Sequence, residues 1–147
     1  MTSTNNRFKM IGSSYLFLVK KNKILLSRRF QTGYEDGKYS LPAGHVEEEE
    51  TLTENLVREV KEEVGLDIKK YDAKLAHVMH RRHNDIRVDY FFTVSKWVGN
   101  PKNCEPDKCD DVSWFPINKL PENTVVYIRH AIECWQKGII YSEFGWG

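Results

Sequence analysis

Three glutamates, Glu59, Glu62 and Glu63, carry the strongest chemical signal in the sequence. Glu62 and Glu63 follow Glu59 by three and four residues, a spacing that places all three on one helical face within an arc of about 100°. Like charges at this spacing destabilise a helix by about 0.2–0.5 kcal/mol per pair. Spacing alone leaves two interpretations open: a solvated acidic face, or a site for a hard divalent cation such as Mg²⁺, which prefers carboxylate oxygens.

The residues around these glutamates favour the second interpretation. Gly44 is followed after five residues by Glu50, and after seven more by Arg58-Glu59-Val60-Lys61-Glu62-Glu63-Val64-Gly65-Leu66. This pattern resembles the Nudix box, G-x5-E-x7-R-E-U-x-E-E-x-G-U with U aliphatic, at every specified position. A chance match is expected on the order of 10⁻⁹ per window at ordinary residue frequencies. Four further pieces are similar to small bacterial MutT-type Nudix hydrolases: Leu41–Val46, Arg87–Phe92, Glu105–Cys109 and Trp114–Pro116.

The resemblance implies a fold, a reaction and a set of site residues. The implied fold is a mixed β-sheet sandwiched between helices, with the box at 44–66 forming a loop-helix-loop. Nudix hydrolases cleave a nucleoside diphosphate linked to a group X, using water and Mg²⁺, for which Mn²⁺ can substitute. Carried over by position, the metal ligands are the Gly44 carbonyl, Glu59, Glu62 and Glu63. Glu62 would ligate the metal or help to activate water, while Arg58 and Glu50 would pair and orient the glutamates.

Residues outside the box are candidates for substrate contacts or for a further carboxylate. Arg28 and Arg29 end a predicted strand and could bind phosphate, with Arg29 favoured by the resemblance; a solvated strand end is the alternative. Glu105 or Asp107, in the long loop 100–111, could supply a metal ligand or base; a surface loop is the alternative. Asn123 precedes the last helix, where relatives read the base edge; helix capping is the favoured alternative.

The helix that carries the glutamates has clear ends. Thr51 and Glu54 form a predicted capping box, and Gly65 suits the position just after the helix, so we expect a helix over Thr51–Val64. Its apolar residues recur every four positions and face the core: Leu52, Leu56, Val60 and Val64. Glu50 and Arg58 would lie about 12 Å apart along the axis if both were helical. Their pairing therefore requires the loop 47–50 to fold back alongside the helix.

The remaining pattern predicts strands and one more helix, an α/β or α+β domain. We expect strands at Ile11–Lys20 and Lys23–Arg29, forming a hairpin, and at Tyr39–Leu41, Ala73–Met79, Ile86–Val98 and Val112–Phe115. The second helix is predicted over Thr124–Lys137 and ends at Gly138. Residues 1–9 should be a flexible N-terminus and residues 10–147 a single domain. The aromatic tail Tyr141–Trp146 should pack against the domain, a dimer contact being the alternative.

Several side chains are expected to be structural or exposed. His77, His80 and His83 recur every three residues, and on a strand His77 and His80 point to opposite faces, so they cannot chelate one metal together. Arg81 and Arg82 are expected to be exposed.

Composition excludes several function classes. The chain has 147 residues, 22 basic against 21 acidic, and a net charge of +1. Such a balance offers no bulk attraction for duplex nucleic acid or an anionic membrane. No apolar run is long enough for a membrane span, and the polar N-terminus lacks a signal-peptide pattern. Three cysteines fit reduced thiols, so a cytoplasmic protein is expected, as a monomer or homodimer.

The resulting hypothesis is a nucleotide pyrophosphatase that converts nucleoside triphosphates, including damaged ones, to monophosphate and pyrophosphate. The same chemistry on another small molecule or RNA is the first alternative: ADP-ribose, a nucleotide sugar, a dinucleoside polyphosphate or capped RNA. A nucleotide sensor without catalysis is the second. Sensors of this type commonly lose the glutamates of the box, whereas Glu59, Glu62 and Glu63 are all present here. The residues of the site therefore favour catalysis over a sensor.

Overall fold

The structure is a computed structural model, and it describes residues 6–147. Over this part of the chain it contains nine strands, two α-helices and one 3₁₀ turn. In chain order they are β1 (Ile11–Phe17), β2 (Val19–Lys20), β3 (Lys23–Arg29), β4 (Tyr39–Ser40), β5 (Ala43–His45), α1 (Leu52–Val64), the 3₁₀ turn (Lys70–Asp72), β6 (Lys74–Arg82), β7 (Ile86–Thr93), β8 (Cys109–Pro116), α2 (Val126–Gln136) and β9 (Tyr141–Phe144).

The strands form two sheets. The larger is mixed and has the order β5-β1-β7-β6-β9, in which β1 runs parallel to β7 and β6 parallel to β9. In the smaller sheet β3 pairs with β2, β4 and β8, all antiparallel. Strand β5 therefore lies at one edge of the larger sheet, beside β1, and it carries Gly44 next to α1.

The larger sheet is sandwiched between the two helices, as predicted. Strand β1 shows why, because its apolar side chains alternate between the two faces. Tyr15 and Phe17 pack in a cluster with Ile128 and Ile132 of α2. Leu16 packs on the other face, in a second cluster that contains the buried stripe of α1. An apolar run without polar interruptions thus reflects burial on both faces of the strand.

The predicted strand Ile11–Lys20 was wrong as a single element. It divides at Leu18, so that β1 belongs to the larger sheet and β2 to the smaller one. The backbone carbonyl of Leu18 accepts a hydrogen bond from the Leu25 N–H at 3.0 Å, which starts the pairing with β3. The predicted turn is present, since Lys21 and Asn22 both have positive φ, 52° and 63°. A continuous apolar run gives no signal for where a chain changes sheets.

Other boundaries also differ from prediction. Strands β5 and β9 were not predicted; β9 is only four residues long and pairs in parallel with β6. The strand starting at Ile86 ends at Thr93, and Val98 forms only an isolated bridge with Asp67. Strands β6 and β8 are longer than predicted, and α2 starts at Val126. Short edge strands depend on partners distant in sequence, which local patterns do not reveal.

The chain ends are described only in part. Of the expected flexible N-terminus, residues 1–5 lie outside the described residues, and 6–10 are exposed without regular structure. The aromatic tail packs against the domain as expected: Trp146 Nε1 donates to the His80 carbonyl at 3.0 Å, and the two rings are 4.7 Å apart. No helix in residues 6–147 has the length and apolarity needed to cross a membrane. All three cysteines are free.

Candidate active site

Hydrogen bonds at both ends of helix α1 define where it begins and ends. Thr51 Oγ1 accepts from the Glu54 N–H at 3.2 Å, and Glu54 Oε1 accepts from the Thr51 N–H at 2.9 Å, which is the predicted capping box. At the other end Gly65 adopts φ 74°, and its N–H bonds the Lys61 carbonyl at 3.1 Å. With its apolar stripe buried, the helix turns Glu59 and Glu63 towards β5.

Glycine at position 44 leaves room for Glu59, whose side chain lies against the Gly44 backbone. A Cβ at Gly44 would sit 1.7 Å from Glu59 Oε2 and 2.1 Å from Glu59 Cδ. One turn later on the helix, Glu63 Oε1 accepts a hydrogen bond from the Ala43 N–H at 3.1 Å. Two carboxylates from successive turns of α1 thus meet two successive residues of β5.

The carbonyl of Gly44 retains one lone pair for a ligand. Gly44 pairs with Ser14 in the antiparallel β1–β5 ladder. Two residues further on, the Val46 N–H donates to the Gly12 carbonyl at 2.9 Å, so the hydrogen-bonded positions of this ladder include Gly44. A carbonyl oxygen has two lone pairs, and the ladder uses one of them.

Both carboxylates are held where their negative charge is poorly solvated. Burial raises the pKa of Glu63 well above its usual value, and the negative charges of Glu59 and Glu105 add to this, whereas the Ala43 N–H opposes it. Burial also raises the pKa of Glu59 to about 6, with Arg58 opposing and Glu62 and Glu105 adding. Burying a carboxylate without a compensating cation is unfavourable. The site therefore has an excess of buried negative charge that a cation would stabilise.

The donor set fits Mg²⁺ or Mn²⁺. Carboxylate and carbonyl oxygens are the hard donors that these ions prefer. Within residues 6–147, no three Asp, Glu, His or Cys side chains are close enough together to hold a metal ion by themselves. Mg²⁺ usually takes only one or two protein carboxylates and completes its coordination with waters and substrate phosphates. Glu59, Glu63 and the Gly44 carbonyl are a partial set of this kind.

Arg58 links the loop before α1 to the acidic face. Its Nε and Nη2 donate to the two carboxylate oxygens of Glu50 at 3.0 and 2.8 Å, and its Nη1 donates to Glu62 Oε1 at 3.0 Å. The Arg58 hydrogen bonds lower the pKa of Glu50 to about 2, although partial burial opposes this. Asn55 Nδ2 bonds both Glu50 Oε1 and the His45 carbonyl. The loop therefore folds back alongside the helix, which the pairing requires.

We expect Arg58→Ala to lower turnover about ten- to a hundredfold, which is the usual effect of removing a residue that orients metal ligands. The Arg58→Ala, Glu50→Ala double variant should lose little more, because the two side chains act as one unit. Steady-state kinetics on the four members of this cycle measure the coupling. Lys61→Ala is the matched control, since Lys61 is exposed on the same helix and pairs with Asp67. If the two losses simply multiplied, Arg58 would instead be an independent contact to the substrate.

An open cleft of about 940 Å³ brings most of the predicted site residues together. Those that line it are Arg28, Arg29, Gly44, Arg58, Glu59, Glu62, Glu63 and Glu105. Glu50 lies behind Arg58, and neither Asp107 nor Asn123 lines the cleft. Of the two carboxylates considered in the loop 100–111, the structure thus places Glu105 with the acidic face.

Asn123 makes a structural contact that the sequence did not predict. Its Nδ2 donates to the Gly37 carbonyl at 2.9 Å, so it ties the loop before β4 to the loop before α2. The favoured interpretation as a helix cap was wrong, because α2 begins after Val125 without a side-chain cap. Thr124, the other capping candidate, bonds the Pro121 carbonyl instead.

The two strand-end arginines differ in how their charge is compensated. Arg28 Nε donates to Asp110 Oδ1 at 2.7 Å, so a carboxylate already neutralises it. Arg29 is held by uncharged groups, its Nε donating to the Tyr34 carbonyl at 2.7 Å and its Nη2 to Thr32 Oγ1 at 3.1 Å. Arg29 therefore keeps a positioned charge that can meet an anion in the cleft.

Sequence reasoning missed several residues in the cleft and beneath it. Arg81, expected to be exposed, is 3% exposed and bonds the fully buried Asp89 at 2.6 Å. His83 lines the cleft, whereas His77 is structural and bonds the Ile139 carbonyl at 2.8 Å. Arg87, also in the cleft, donates to His45 Nε2 at 2.9 Å. Nothing in the local sequence signals these positions, because they meet only through the register of β6, β7 and β5.

Comparison with known proteins agrees with this geometry. The chain has a mixed sheet between two helices, with an acidic helix face against a glycine at the sheet edge. The NUDIX domain model matches residues 11–133, and the chain belongs to this family.

Relatives and solved structures within the family are similar to the chain to different extents. The 8-oxo-dGTP diphosphatase of Buchnera aphidicola subsp. Schizaphis graminum is 34% identical over 82 residues, 56% of this chain and 61% of that protein. The NAD-capped RNA hydrolase NudC of Pseudomonas putida KT2440 is 31% identical over 117 residues, 78% of this chain and 40% of that protein. The chain thus spans about two fifths to three fifths of the length of these relatives. The MutT NUDIX hydrolase from Burkholderia pseudomallei superposes with a TM-score of 0.78 at 26% identity, covering 86% of this chain and 98% of that one.

Proposed function

We propose that the chain is a divalent-metal-dependent pyrophosphohydrolase that converts nucleoside triphosphates, including damaged ones, to monophosphate and pyrophosphate. The observation that carries this proposal is the pair of poorly solvated carboxylates, Glu59 and Glu63, held against β5 in a cleft that also presents Arg29. Family membership and the 8-oxo-dGTP diphosphatase relative support the reaction and the substrate class.

The chain's own residues have distinct roles in this reaction. Glu59, Glu63 and the Gly44 carbonyl would hold Mg²⁺, or Mn²⁺ in its place. Such an ion would offset the negative charge of the phosphates and lower the pKa of a bound water. Arg29 binds a phosphate oxygen and orients the polyphosphate chain.

Glu62 and Glu105 are the candidates for moving a proton. Glu62 is exposed and now bonded to Arg58, so it can turn to ligate the ion or to accept the proton of the attacking water. Glu105 faces Glu59 and Glu63 closely enough to raise the pKa of both. A base near the acidic face would act on the water that the metal activates. Arg58 and Glu50 orient the acidic face rather than touch the substrate.

A second candidate substrate is a dinucleotide such as NAD⁺ or an NAD-capped RNA end. The NudC relatives support it, since their alignment covers 78% of this chain. It involves the same pyrophosphate bond and the same acidic face. We also place the protein in the cytoplasm, supported by its three free cysteines, as a monomer or homodimer.

A substrate panel tests the proposed function. The panel contains the canonical nucleoside triphosphates, 8-oxo-dGTP, ADP-ribose, a nucleotide sugar, a dinucleoside polyphosphate and NAD⁺, each with Mg²⁺. We expect a triphosphate to be the best substrate by kcat/KM, with pyrophosphate rather than phosphate released. A chelator should abolish activity, and Mg²⁺ or Mn²⁺ should restore it. Release of phosphate, or undiminished activity with the chelator, would contradict the proposal.

The position of attack is a separate prediction. Water should attack the β-phosphorus of the triphosphate, because the MutT-type resemblance implies that pathway. Hydrolysis in ¹⁸O-labelled water should then place the label in pyrophosphate, as measured by mass spectrometry of both products. Label in the monophosphate would indicate attack at the α-phosphorus.

A further inference from the structure

The floor of the cleft is polar, although the sheet face behind it is apolar. Ser13 and Tyr15 of β1 and Tyr127 of α2 line the cleft, and we call these three residues the cleft floor. Directly beneath them lie Asp89 and Arg81, fully and almost fully buried. None of these five residues belongs to the acidic face that handles the phosphates.

The hydroxyl groups of the floor have a fixed direction. Asp89 is ion-paired with Arg81 and as a carboxylate can only accept hydrogen bonds, so the Tyr15 hydroxyl donates to it, at 3.1 Å. The single proton of Tyr15 is then used, and its 3.0 Å bond to Tyr127 must be donated by Tyr127. Tyr127 therefore presents only lone pairs to the cleft. The buried Asp89 carboxylate thus determines that the Tyr127 oxygen, the last in this series of hydrogen bonds, can only accept a hydrogen bond from a ligand.

One aromatic face of each tyrosine is already occupied. The Tyr15 ring stacks on Phe91 with centroids 4.6 Å apart. The Arg81 guanidinium lies 3.7 Å from the centre of the Tyr127 ring. The hydroxyl groups are the polar atoms that these two side chains bring to the floor, so the floor is suited to hydrogen bonding.

Ser13 provides an independent sign that a ligand group belongs here. It is 2% exposed and lines the cleft, yet its Oγ has no hydrogen-bond partner among residues 6–147. Buried hydroxyl groups are nearly always hydrogen-bonded. Ser13 lies on the same face of β1 as Tyr15, two residues away, so its free hydroxyl and the Tyr127 oxygen belong to the same floor.

We infer that the cleft floor is the subsite that selects the non-phosphate part of the substrate, by accepting a hydrogen bond from one of its hydroxyl or amino groups. This inference rests on the proposed function, since it concerns the nucleotide that the acidic face would hydrolyse. Tyr127 is the specificity-determining residue, and Arg81, Asp89 and Tyr15 orient it. A substrate that lacks the donor leaves Tyr127 without a partner and is disfavoured.

Binding of nucleoside 5′-monophosphates tests the inference without requiring turnover. Calorimetry with Mg²⁺ first ranks AMP, GMP, CMP and UMP, and then analogues of the tightest binder that lack one donor each. The 2′-deoxy and 3′-deoxy analogues remove sugar hydroxyls, and the desamino analogue removes the base amine. We expect one analogue to bind at least about tenfold more weakly to the wild type. In Tyr127→Phe that difference should disappear, because the parent nucleotide loses the same factor.

Two further variants complete the test, one as a control outside the cleft and one within the cleft floor. Tyr141→Phe is the matched control, since Tyr141 lies on β9 outside the cleft and bonds Glu143. Ser13→Ala should lose affinity for the parent nucleotide without losing thermal stability, because its hydroxyl bonds no other group of residues 6–147. The inference is overturned if Tyr127→Phe weakens all analogues equally, if it weakens none, or if the wild type does not discriminate among them. Because monophosphates are not hydrolysed, selective binding can hold even if the proposed hydrolysis fails.

Discussion

Glu59→Gln and Glu63→Gln should each lower turnover at least about a hundredfold, because each would remove a charged ligand from the proposed catalytic ion. Glutamine preserves the shape of both side chains, so the contacts with Gly44 and Ala43 can persist. The loss should appear in kcat with saturating substrate, and higher Mg²⁺ should recover part of it. Steady-state kinetics over a range of Mg²⁺ concentrations measure both effects.

Two controls separate this expectation from a general loss of folding. Glu133→Gln, exposed on α2 and outside the cleft, should leave turnover unchanged. In a chelator, Glu63→Gln should be at least as stable as the wild type, because it removes a poorly solvated charge. The raised pKa of Glu63 means that the folded wild type binds this proton more tightly than the unfolded chain. Without metal, wild-type stability should therefore fall as the pH rises above about 4.5, the ordinary pKa of the group. Near-normal rates in both glutamine variants would contradict the metal site.

Arg81→Met should lower the free energy of unfolding by about 3–5 kcal/mol, because it leaves the carboxylate of Asp89 buried without its partner. Arg81 and Asp89 are 3% and 0% exposed and 2.6 Å apart. Urea denaturation followed by fluorescence measures the change. The neighbouring Arg82→Met is the control, since Arg82 is exposed and its contact with the Trp146 ring is worth about 1 kcal/mol or less.

The double variant Arg81→Met, Asp89→Leu distinguishes the cost of an unpaired charge from a loss of packing. Replacing a whole buried ion pair by apolar side chains is often neutral or stabilising, so most of the lost stability should return. Selectivity for the substrate should not return, because Tyr15 would no longer be oriented by a carboxylate. If Arg81→Met lowered the free energy of unfolding no more than Arg82→Met does, the ion pair would not stabilise the residues beneath the cleft floor.

The part of the site that the sequence predicts well is the part built from neighbouring residues. The capping box of Thr51 and Glu54, the end of the helix at Gly65 and the shared face of Glu59 and Glu63 all depend on spacing within a few turns. The Arg58–Glu50 pair also follows, because both lie in the same loop-helix unit. The need for glycine at position 44 has a clear physical reason only in the structure, where Glu59 occupies the space of a Cβ.

What the sequence could not predict depends on pairing between distant strands. Arg81 is a polar residue in a strand, and exposure was the reasonable expectation until the register of β6 and β7 brought Asp89 beside it. Strand β9 exists because β6 offers it an edge. Asn123 carries a residue type suited to capping, yet the loop before β4 takes its side chain instead. In each case a tertiary partner outweighs the local preference.

The parallel pairing of β1 with β7 determines when the cleft can form during folding. Tyr15 and Asp89 are 74 residues apart in sequence, and their strands can pair only after the intervening chain, including α1, has been closed into a loop. Closing a long loop costs conformational entropy before the non-local contacts that offset it can form. Topologies of this kind therefore fold in roughly milliseconds to seconds rather than microseconds. Strand β5 lies on the other edge of β1, and the acidic face of α1 lies against β5. Helix α1 can therefore form early and locally, whereas the cleft, which Tyr127 of α2 also lines, is complete only after most of the chain has been synthesised and the central strands have met.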